Sequence, residues 1–439
     1  MPSPGWIPAL RTEFDRPIAA LAFPALGSLV AEPLYVLADT AVVGRIGTNE
    51  LAGLALASTV LLTVHSLMIF LAYGATGPIA RMISAGDELG GANRGVQGLW
   101  LAGILGVGAA VLMGVLAEPL LVLLQADGAV LDAGLLYLRL SLPGFPFLLL
   151  AMAAAGVMHG RQDTRRPLAI AVTSALLNLV LEIFLVFGLG FGLGASALST
   201  VVAQIISGSL FVALVVRWAR ATGASPAPQR APMLSILKSG QALVVRTASL
   251  RGSLTLAAGV ASSIGTAELA AHQIALQVWF TLALALDAVA IAGQALTGRY
   301  LGEGDTRVAW AASRRMIEID LLVGVAFGVL VVVFRHPIAE LFTTDSAVIS
   351  FTAFILLFVA AQQPMNGVVF ALDGILIGAG DLWFLAKWMV VAFATFSVGA
   401  GIVLVTGAGL GWLWTTILAF MLVRMVPLLR RWRSGAWLV

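Results

Sequence analysis

The segment IGTNELA, from Ile46 to Ala52, recurs as IGTAELA from Ile264 to Ala270. The two copies lie 218 residues apart, and the same separation relates further positions without a gap. These pairs are Arg81 and Arg299, Asp87 and Asp305, Pro119 and Pro337, Asp127 and Asp345, Pro146 and Pro364, Gly160 and Gly378, and Asp163 and Asp381. Because one register holds through loops and helices alike, the pattern predicts two copies of one structural repeat.

The composition of the chain indicates that both repeats lie in a membrane. Of the 439 residues, 60% are hydrophobic and 11% are charged, whereas about a quarter of the residues in a soluble domain carry charge. The chain has no cysteine, which excludes disulfides, thiolate metal sites and cysteine nucleophiles. The N-terminus lacks the charged start, apolar core and cleavage site of a secretory leader, so we expect no cleaved signal peptide.

Apolar runs long enough to cross a bilayer, roughly 20 residues each, occur twelve times in the sequence. They cover residues 17–43, 51–80, 95–124, 133–158, 166–188, 192–217, 236–262, 267–298, 309–334, 347–376, 382–406 and 409–429. A long central segment rich in proline, alanine and serine separates the sixth run from the seventh. We therefore expect an N-terminal lobe of residues 1–217, a cytoplasmic linker of residues 218–235 and a C-terminal lobe of residues 236–439.

Lysine and arginine are concentrated in alternate connections between the runs, which marks those connections as cytoplasmic. The basic residues are Arg81, Arg94, Arg161, Arg165, Arg166, Arg217, Arg220, Arg230, Lys238, Arg299, Arg307, Arg314 and Arg315, with Arg430, Arg431 and Arg433 in the tail. Both termini are therefore predicted to be cytoplasmic, and this bias explains the basic excess without a nucleic-acid partner. Six spans per repeat return the chain to one side, so the repeats are parallel.

The predicted fold class is an all-α membrane protein with twelve transmembrane helices in two parallel six-helix repeats around a central cavity. This architecture is typical of secondary transporters, which expose the cavity alternately to either side. An enzyme is not expected, because HExxH, GxSxG and P-loop motifs are absent and the four histidines are scattered. We also expect no cofactor and no metal site. A channel fits less well, because an acidic residue in one repeat alone suits alternating access better.

That acidic residue is Asp39, which lies in the apolar stretch LYVLADTAVVGR, residues 34–45. Ionising a carboxylate in a bilayer costs several kcal/mol unless other groups compensate for it. At the repeat separation of 218, its counterpart is Ala257. The acid therefore belongs to the N-terminal half alone, and its partners should lie in the other spans of that half.

Four polar residues of the N-terminal half are candidate partners of this aspartate. Asn178 and Glu182 lie four residues apart on the fifth span and so share one helix face. Tyr137 and Thr200 lie on the fourth and sixth spans. Two carboxyl groups supported by an amide and hydroxyls can share one proton, because each disfavours ionisation of the other. The residues are thus consistent with a proton-exchange site.

The chain resembles the multidrug and toxic compound extrusion (MATE) transporters, most closely their DinF-like prokaryotic branch. The similarity covers essentially the whole chain and includes ADTAVVGRIGTNELAGLALA from residue 38, GRQDTRRP from residue 160 and LAAHQIALQV from residue 269. The resemblance implies a cation-coupling site made of Asp39, Tyr137, Asn178, Glu182 and Thr200. It also implies that a kink of the first helix at Pro24 responds to protonation. The chain departs from the family pattern at Glu182, where we expect aspartate. The extra methylene of glutamate can change the pKa of the site or its choice between H⁺ and Na⁺.

The activity implied by the resemblance is secondary active antiport. Entry of H⁺, or of Na⁺, drives export of amphiphilic, often cationic organic compounds by alternating access. The expected location is the plasma (cytoplasmic) membrane, where a monomer contacts membrane lipids. An alternative is a flippase for a lipid-linked precursor of the same superfamily. Arg246 and Arg251 in the seventh span keep this alternative open, because a pyrophosphate head group requires such residues.

The second set of candidate residues concerns these two arginines and the substrate cavity. Charged side chains within a span face protein or water rather than lipid, so we expect structural ion pairs with Glu32, Glu182 or Asp287, or contacts with anionic substrates. The residues predicted to form the cavity are Tyr35, Met68, Met152, Arg251, Asp287, Gln362, Gln363 and Asn366. For the methionines, an adaptable binding surface competes with ordinary core packing.

Overall fold

The computed structural model describes residues 11–438, apart from the side chains of Arg11, Thr12, Glu32 and Tyr35. The described chain contains fifteen α-helices and no strand. Their bounds are α1 Arg11–Val43, α2 Thr48–Leu67, α3 Phe70–Ser84, α4 Glu88–Val115, α5 Ala117–Leu123, α6 Gly128–Ser141, α7 Phe145–Gly160, α8 Arg165–Ile183, α9 Gly192–Thr222, α10 Arg230–Ile264, α11 Thr266–Gly302, α12 Thr306–Phe342, α13 Ser346–Ala379, α14 Leu382–Thr406 and α15 Leu410–Arg433. A 3₁₀ turn joins α6 to α7, and a π-helical turn follows α8.

Several of these helices join end to end into membrane spans. α2 and α3 together form one span, and α6 and α7 form another. Among the described residues, eleven segments are long and apolar enough to cross a membrane. The remaining long helix, α10, has 35 residues and contains the predicted seventh span, where Arg246 and Arg251 reduce its apolar character. The prediction of an all-helical membrane protein is confirmed.

The described residues form two compact units. The N-unit contains residues 24–241, and the C-unit contains residues 11–23 together with residues 242–438. Two helices therefore contribute to both units: α1 passes from one to the other at Pro24, and α10 does so after Gln241. The first turns of α1 belong to the C-unit, while its remainder belongs to the N-unit.

The helices on both sides of the predicted linker extend into it, which leaves residues 223–229 as the connection. α9 ends where Gly223 adopts a left-handed conformation with φ of 76°, which a glycine tolerates without steric cost. The Gln97 side chain on α4 then holds the connection: it donates to the Ala227 carbonyl at 2.9 Å and accepts from the Gln229 amide at 2.7 Å. The connection is therefore an ordered part of the N-unit.

A charged contact anchors the first turns of α1 within the C-unit. The guanidinium of Arg315 on α12 binds both carboxylate oxygens of Asp15, at 2.5 and 3.0 Å. Glu318, one turn further along α12, accepts from the same guanidinium at 3.2 Å. The Phe14 ring packs edge-on against Tyr300 on α11, with ring centroids 6.1 Å apart. A forked arginine contact of this kind fixes orientation as well as distance.

Close helix packing recurs in both units at the repeat separation. A Cβ atom on Gly156 of α7 would lie 2.4 Å from the Ala72 carbonyl oxygen, and one on Gly374 of α13 would lie 2.3 Å from the Ala290 carbonyl oxygen. Both glycines allow the backbones of two helices to touch, as is common in membrane proteins. Two further contacts with the same relation are Gly106 with Pro146 and Gly324 with Pro364. The two repeats thus pack their helices through glycines at equivalent positions.

Replacing Gly374 with alanine should lower the thermal stability of the purified protein. The added methyl meets backbone atoms, which cannot rotate away, and overpacking of this kind costs about 1–3 kcal/mol. The matched control is Gly401→Ala on α14, where a Cβ meets no atom within 4 Å. We expect a clear drop in melting temperature, measured by tryptophan fluorescence in detergent, for Gly374→Ala only. Equal melting of both variants contradicts the packing argument.

Candidate functional site

A cluster of polar side chains lies inside the N-unit, between helices that are otherwise apolar. Its centre is Asp39 on α1, whose side chain is 5% exposed. One carboxylate oxygen accepts a hydrogen bond from the hydroxyl of Ser196 on α9. The other accepts a longer one, at 3.4 Å, from the hydroxyl of Tyr137 on α6. Donors from two other helices therefore compensate for the burial of this carboxylate.

A second acid completes the centre of this cluster. Glu182 on α8 is fully buried and interacts directly with Asp39 and Ser196. Neither of its carboxyl oxygens reaches full hydrogen-bond geometry with a described residue. A buried carboxyl group in that situation is most stable when it is neutral, because the charged form has lost its hydration without replacement. The two acids can therefore hold one proton between them.

The amide and hydroxyl of the cluster also contact each other. The Asn178 side chain on α8 donates to the Thr200 hydroxyl on α9 at 3.0 Å, and both residues are buried. Asn178 lies one helical turn before Glu182, on the same face. The structure thus brings together, in one unit, all five residues that were predicted to form the cation site. Their part in coupling stays a prediction.

Sequence analysis missed Ser196, although its hydroxyl makes the shorter contact to Asp39. A signal was present in the sequence: Ser196 precedes Thr200 by four residues and so shares its face of α9. Serine is common in apolar helices as a small packing residue, so residue type alone gave no reason to select it.

A small group of buried apolar residues follows the polar cluster along the chain, toward the end of α1. Val42, Val186 and Ala195 form a buried hydrophobic group on three different segments. Val42 lies about one turn beyond Asp39, and Val186 lies one turn beyond Glu182 in the π-helical turn. A π-turn shifts the rotation of the residues that follow it, and such turns are frequent at functional sites. By the charge bias of the loops, the end of α1 lies on the predicted outer side.

The corresponding position in the C-unit is apolar. Ala257, the counterpart of Asp39, is buried beside a small cavity formed by aromatic and aliphatic residues that include Trp279, Phe396 and Trp414. Phe396 is itself the counterpart of Asn178 at the repeat separation. The polar cluster is therefore a property of the N-unit and is not duplicated.

Pro24 marks the point where α1 passes from the C-unit to the N-unit. Proline lacks an amide hydrogen and interrupts the hydrogen bonding of the preceding turn, so it is a natural point of bending. The Ser28 hydroxyl donates to the Pro24 carbonyl at 3.1 Å. The predicted role of Pro24 as a switch is consistent with this position and stays a prediction.

The residues predicted for the substrate cavity are divided between the two units. Met68 and Met152 are half-buried in the N-unit, whereas the side chain of Tyr35 lies outside the described residues. In the C-unit, Arg251 on α10 is exposed and Asp287 on α11 is half-buried. Gln362, Gln363 and Asn366 are buried around Pro364 in α13.

An ion-pair network accounts for one of the two arginines in the seventh span. Arg246 on α10 and Arg424 on α15 both donate to one oxygen of Asp373 on α13, at 2.5 and 2.7 Å. Structural pairing is thus confirmed for Arg246, with an acid that the sequence analysis did not name as its partner. Arg424 was missed altogether, although its side chain is only 5% exposed.

Comparison with known proteins identifies relatives along the whole chain. The family model described as MatE matches residues 24–184 and 252–405. Protein DETOXIFICATION 44, chloroplastic, from Arabidopsis thaliana is 31% identical over 441 residues, covering 96% of this chain and 81% of that protein. DNA damage-inducible protein F from Escherichia coli (strain K12) is 27% identical over 447 residues, covering 98% and 95%. A crystal structure of MATE in the bent conformation shares the fold, with a TM-score of 0.87, 23% identity, and 97% and 96% coverage.

Replacing Ser196 with alanine should lower the thermal stability of the protein. The Ser196 hydroxyl donates to the buried carboxylate of Asp39, and loss of a hydrogen bond to a buried group of this kind costs about 1–3 kcal/mol. The control is Ser253→Ala in α10, where a buried hydroxyl donates to the Ser249 carbonyl of its own helix. Melting temperatures of the purified variants test this prediction, and equal losses in the two variants contradict it.

Proposed function

The chain belongs to the MatE family, whose members are transporters and not enzymes, and we propose that it exports organic compounds in exchange for H⁺. Efflux of drugs and other toxic compounds is the activity that the family match supports. A similar protein of Thermotoga maritima, 24% identical over 98% of this chain and 94% of its own length, is named Probable multidrug resistance protein NorM. The antiport mechanism, the coupling ion and the roles of single residues form the proposal. It rests chiefly on the contact between Asp39 and Glu182 inside the N-unit.

The chemistry of the acid pair favours H⁺ over Na⁺. Ser196 and Tyr137 each donate a hydrogen bond to an oxygen of Asp39, so each oxygen already uses part of its capacity as an acceptor. Glu182 needs a proton to remain neutral at its buried position. A Na⁺ ion instead requires several oxygen atoms directed at one point. We therefore favour one proton shared by the two carboxyl groups over a bound Na⁺ ion.

The proposed cycle begins with proton entry from the predicted outer side, past the apolar group of Val42 and Val186. Protonation of the Asp39 and Glu182 pair removes its negative charge. The hydrogen bonds that hold α1 to α6 and α9 then weaken, because they are strongest to a charged acceptor. We propose that α1 bends at Pro24 in response and that bound substrate leaves outward. Release of the proton to the cytoplasm resets the site.

Coupling requires that protonation and substrate binding oppose each other. By thermodynamic reciprocity, a proton that weakens substrate binding is itself released when substrate binds. An amphiphilic cation suits this scheme, because a site that has lost its proton carries negative charge. We therefore propose that the exported compounds are amphiphilic and often cationic. Met68 and Met152 provide adaptable apolar surface for them in the N-unit.

The cellular setting forms part of the same proposal. We expect a monomer in the plasma membrane with both termini in the cytoplasm and lipid around its exposed apolar surface. The predicted lobes, residues 1–217 and 236–439, fit this orientation because Arg217, Arg220 and Arg230 flank the connection between the two halves.

The flippase alternative retains one supporting observation, the exposed Arg251 on α10. Its neighbour Arg246 gives that reading less support, because this side chain already shares Asp373 with Arg424. A pyrophosphate head group binds best to several arginines acting together. We therefore rank lipid-linked precursors below amphiphilic cations as substrates.

Replacing Asp39 with asparagine should strongly reduce efflux driven by a pH gradient. We expect the initial rate of transport of a fluorescent lipophilic cation from proteoliposomes to fall about 5- to 150-fold, the factor that corresponds to a lost coupling free energy of about 1–3 kcal/mol. Glu182→Gln should show the same defect, whereas Glu340→Gln, at an exposed acid of α12, should behave as wild type. An imposed Na⁺ gradient should drive no efflux in any variant.

Each other outcome of this assay has a defined meaning. Equal pH-driven transport by wild type and Asp39→Asn contradicts the coupling role of the acid pair. A response to Na⁺ alone replaces H⁺ as the coupling ion. If no gradient moves the cation, a labelled lipid pyrophosphate in the same vesicles tests the flippase alternative directly.

A further inference from the structure

A further buried acid lies in the C-unit, apart from the proposed coupling site. Asp320 on α12 is fully buried, and the neighbouring charge that acts on it is Asp287 on α11. We propose that Asp320 and Asp287 form a second proton-binding site, which exchanges its proton with water through Asp287. This inference does not depend on the role of Asp39.

The carboxyl group of Asp320 lacks the hydrogen bonds that would stabilise its ionised form. Neither carboxyl oxygen has a hydrogen-bond partner among the residues that the structure describes. An ionised carboxylate in a membrane span costs several kcal/mol when nothing replaces its hydration. A bound proton removes this cost, whereas an added negative neighbour such as Asp287 increases it.

Uncompensated amide groups lie on the adjacent turn of α13. The two helices touch by backbone there: a Cβ on Gly367 would lie 2.1 Å from the Asp320 carbonyl oxygen, and one on Gly324 would lie 2.3 Å from the Gln363 carbonyl oxygen. Both polar side-chain atoms of Gln363 and the side-chain oxygen of Asn366 are buried without a partner in the described chain. Asp320 therefore adjoins a polar region whose hydrogen-bonding capacity is still open, which a protonated carboxyl group can use as donor.

The arginines that form ion pairs on the helices around Asp320 bind other acids. On α13 the nearest acid, Asp373, already binds Arg246 and Arg424. On α12 itself, Glu318 binds Arg314 and Arg315 about half a turn before Asp320. α11 contributes Asp287. Among the described residues of these helices, the arginines that form ion pairs therefore bind acids other than Asp320.

Exchange with water requires a route, and Asp287 supplies it. Its side chain is half-buried, in contrast to the fully buried Asp320. A partly exposed carboxyl group on a membrane span faces water rather than lipid, because charge in hydrocarbon is too costly. Asp287, the acid whose charge acts on Asp320, is therefore the proposed entry point for the proton. The site adds a proton-binding group to the C-unit, where the counterpart of Asp39 is alanine.

Infrared difference spectroscopy of the lipid-reconstituted protein tests this inference. Acidification of wild type should increase the C=O stretching absorption of protonated buried carboxyl groups. Asp320→Asn should remove one component of that increase, and the double variant Asp39→Asn with Glu182→Gln should remove a different one. Glu340→Gln, at an exposed position, is the matched control and should leave the buried components unchanged.

The outcomes separate this proposal from the proposed function. An unchanged spectrum in folded Asp320→Asn contradicts the second site while leaving the Asp39 component intact. A carboxyl band of Asp320 that stays constant across the whole pH range also contradicts exchange. If Asp320→Asn fails to fold, Asp287→Asn replaces it: removing the neighbouring acid should change the pH at which the Asp320 component appears, and an unmoved component overturns the pairing.

Discussion

The cost of placing a carboxylate in a membrane span is the constraint on which the N-unit depends. Asp39 is buried on α1, and it is tolerated because Ser196 and Tyr137 on two other helices donate to it. Glu182 adds a second acid against the first. A charge that several helices must stabilise also links those helices. In the proposed cycle, neutralisation of this charge by one proton changes several helix contacts together.

The two repeats share their packing but differ in their polar interior. Gly156 and Gly374 bring helix backbones into contact at equivalent positions, so the duplicated scaffold is retained. At the counterpart of Asp39, however, the C-unit has Ala257 among aromatic side chains. Its own buried charges lie elsewhere, at the Asp373 ion-pair network and at Asp320. The two repeats thus share their helix packing, while different residues inside each repeat give the two units different buried polar groups.

The sequence predicted those features that depend on local pattern. Apolar runs and the repeat of Gly and Pro positions are visible along the chain, and Asp39 with Glu182 could be selected because acids in spans are costly. Contacts that depend on the rotation of one helix against another could not be found in this way. Ser196 and the pairing of Arg424 with Asp373 belong to that class. Asp320 lies in a predicted span, so the rule that selected Asp39 applied to it as well. The assignment of the first turns of α1 to the C-unit likewise depends on the contact of Asp15 with Arg315.

The central claim is that substrate binding displaces a proton held by Asp39 and Glu182. Calorimetric titration of the purified protein with a lipophilic cation, in buffers of different ionisation enthalpy, measures that proton directly. The account predicts a binding heat for wild type that changes with the buffer, as proton release requires, and a heat independent of the buffer for the double variant Asp39→Asn with Glu182→Gln. Equal dependence on the buffer in both proteins would place the displaced proton elsewhere and contradict the account.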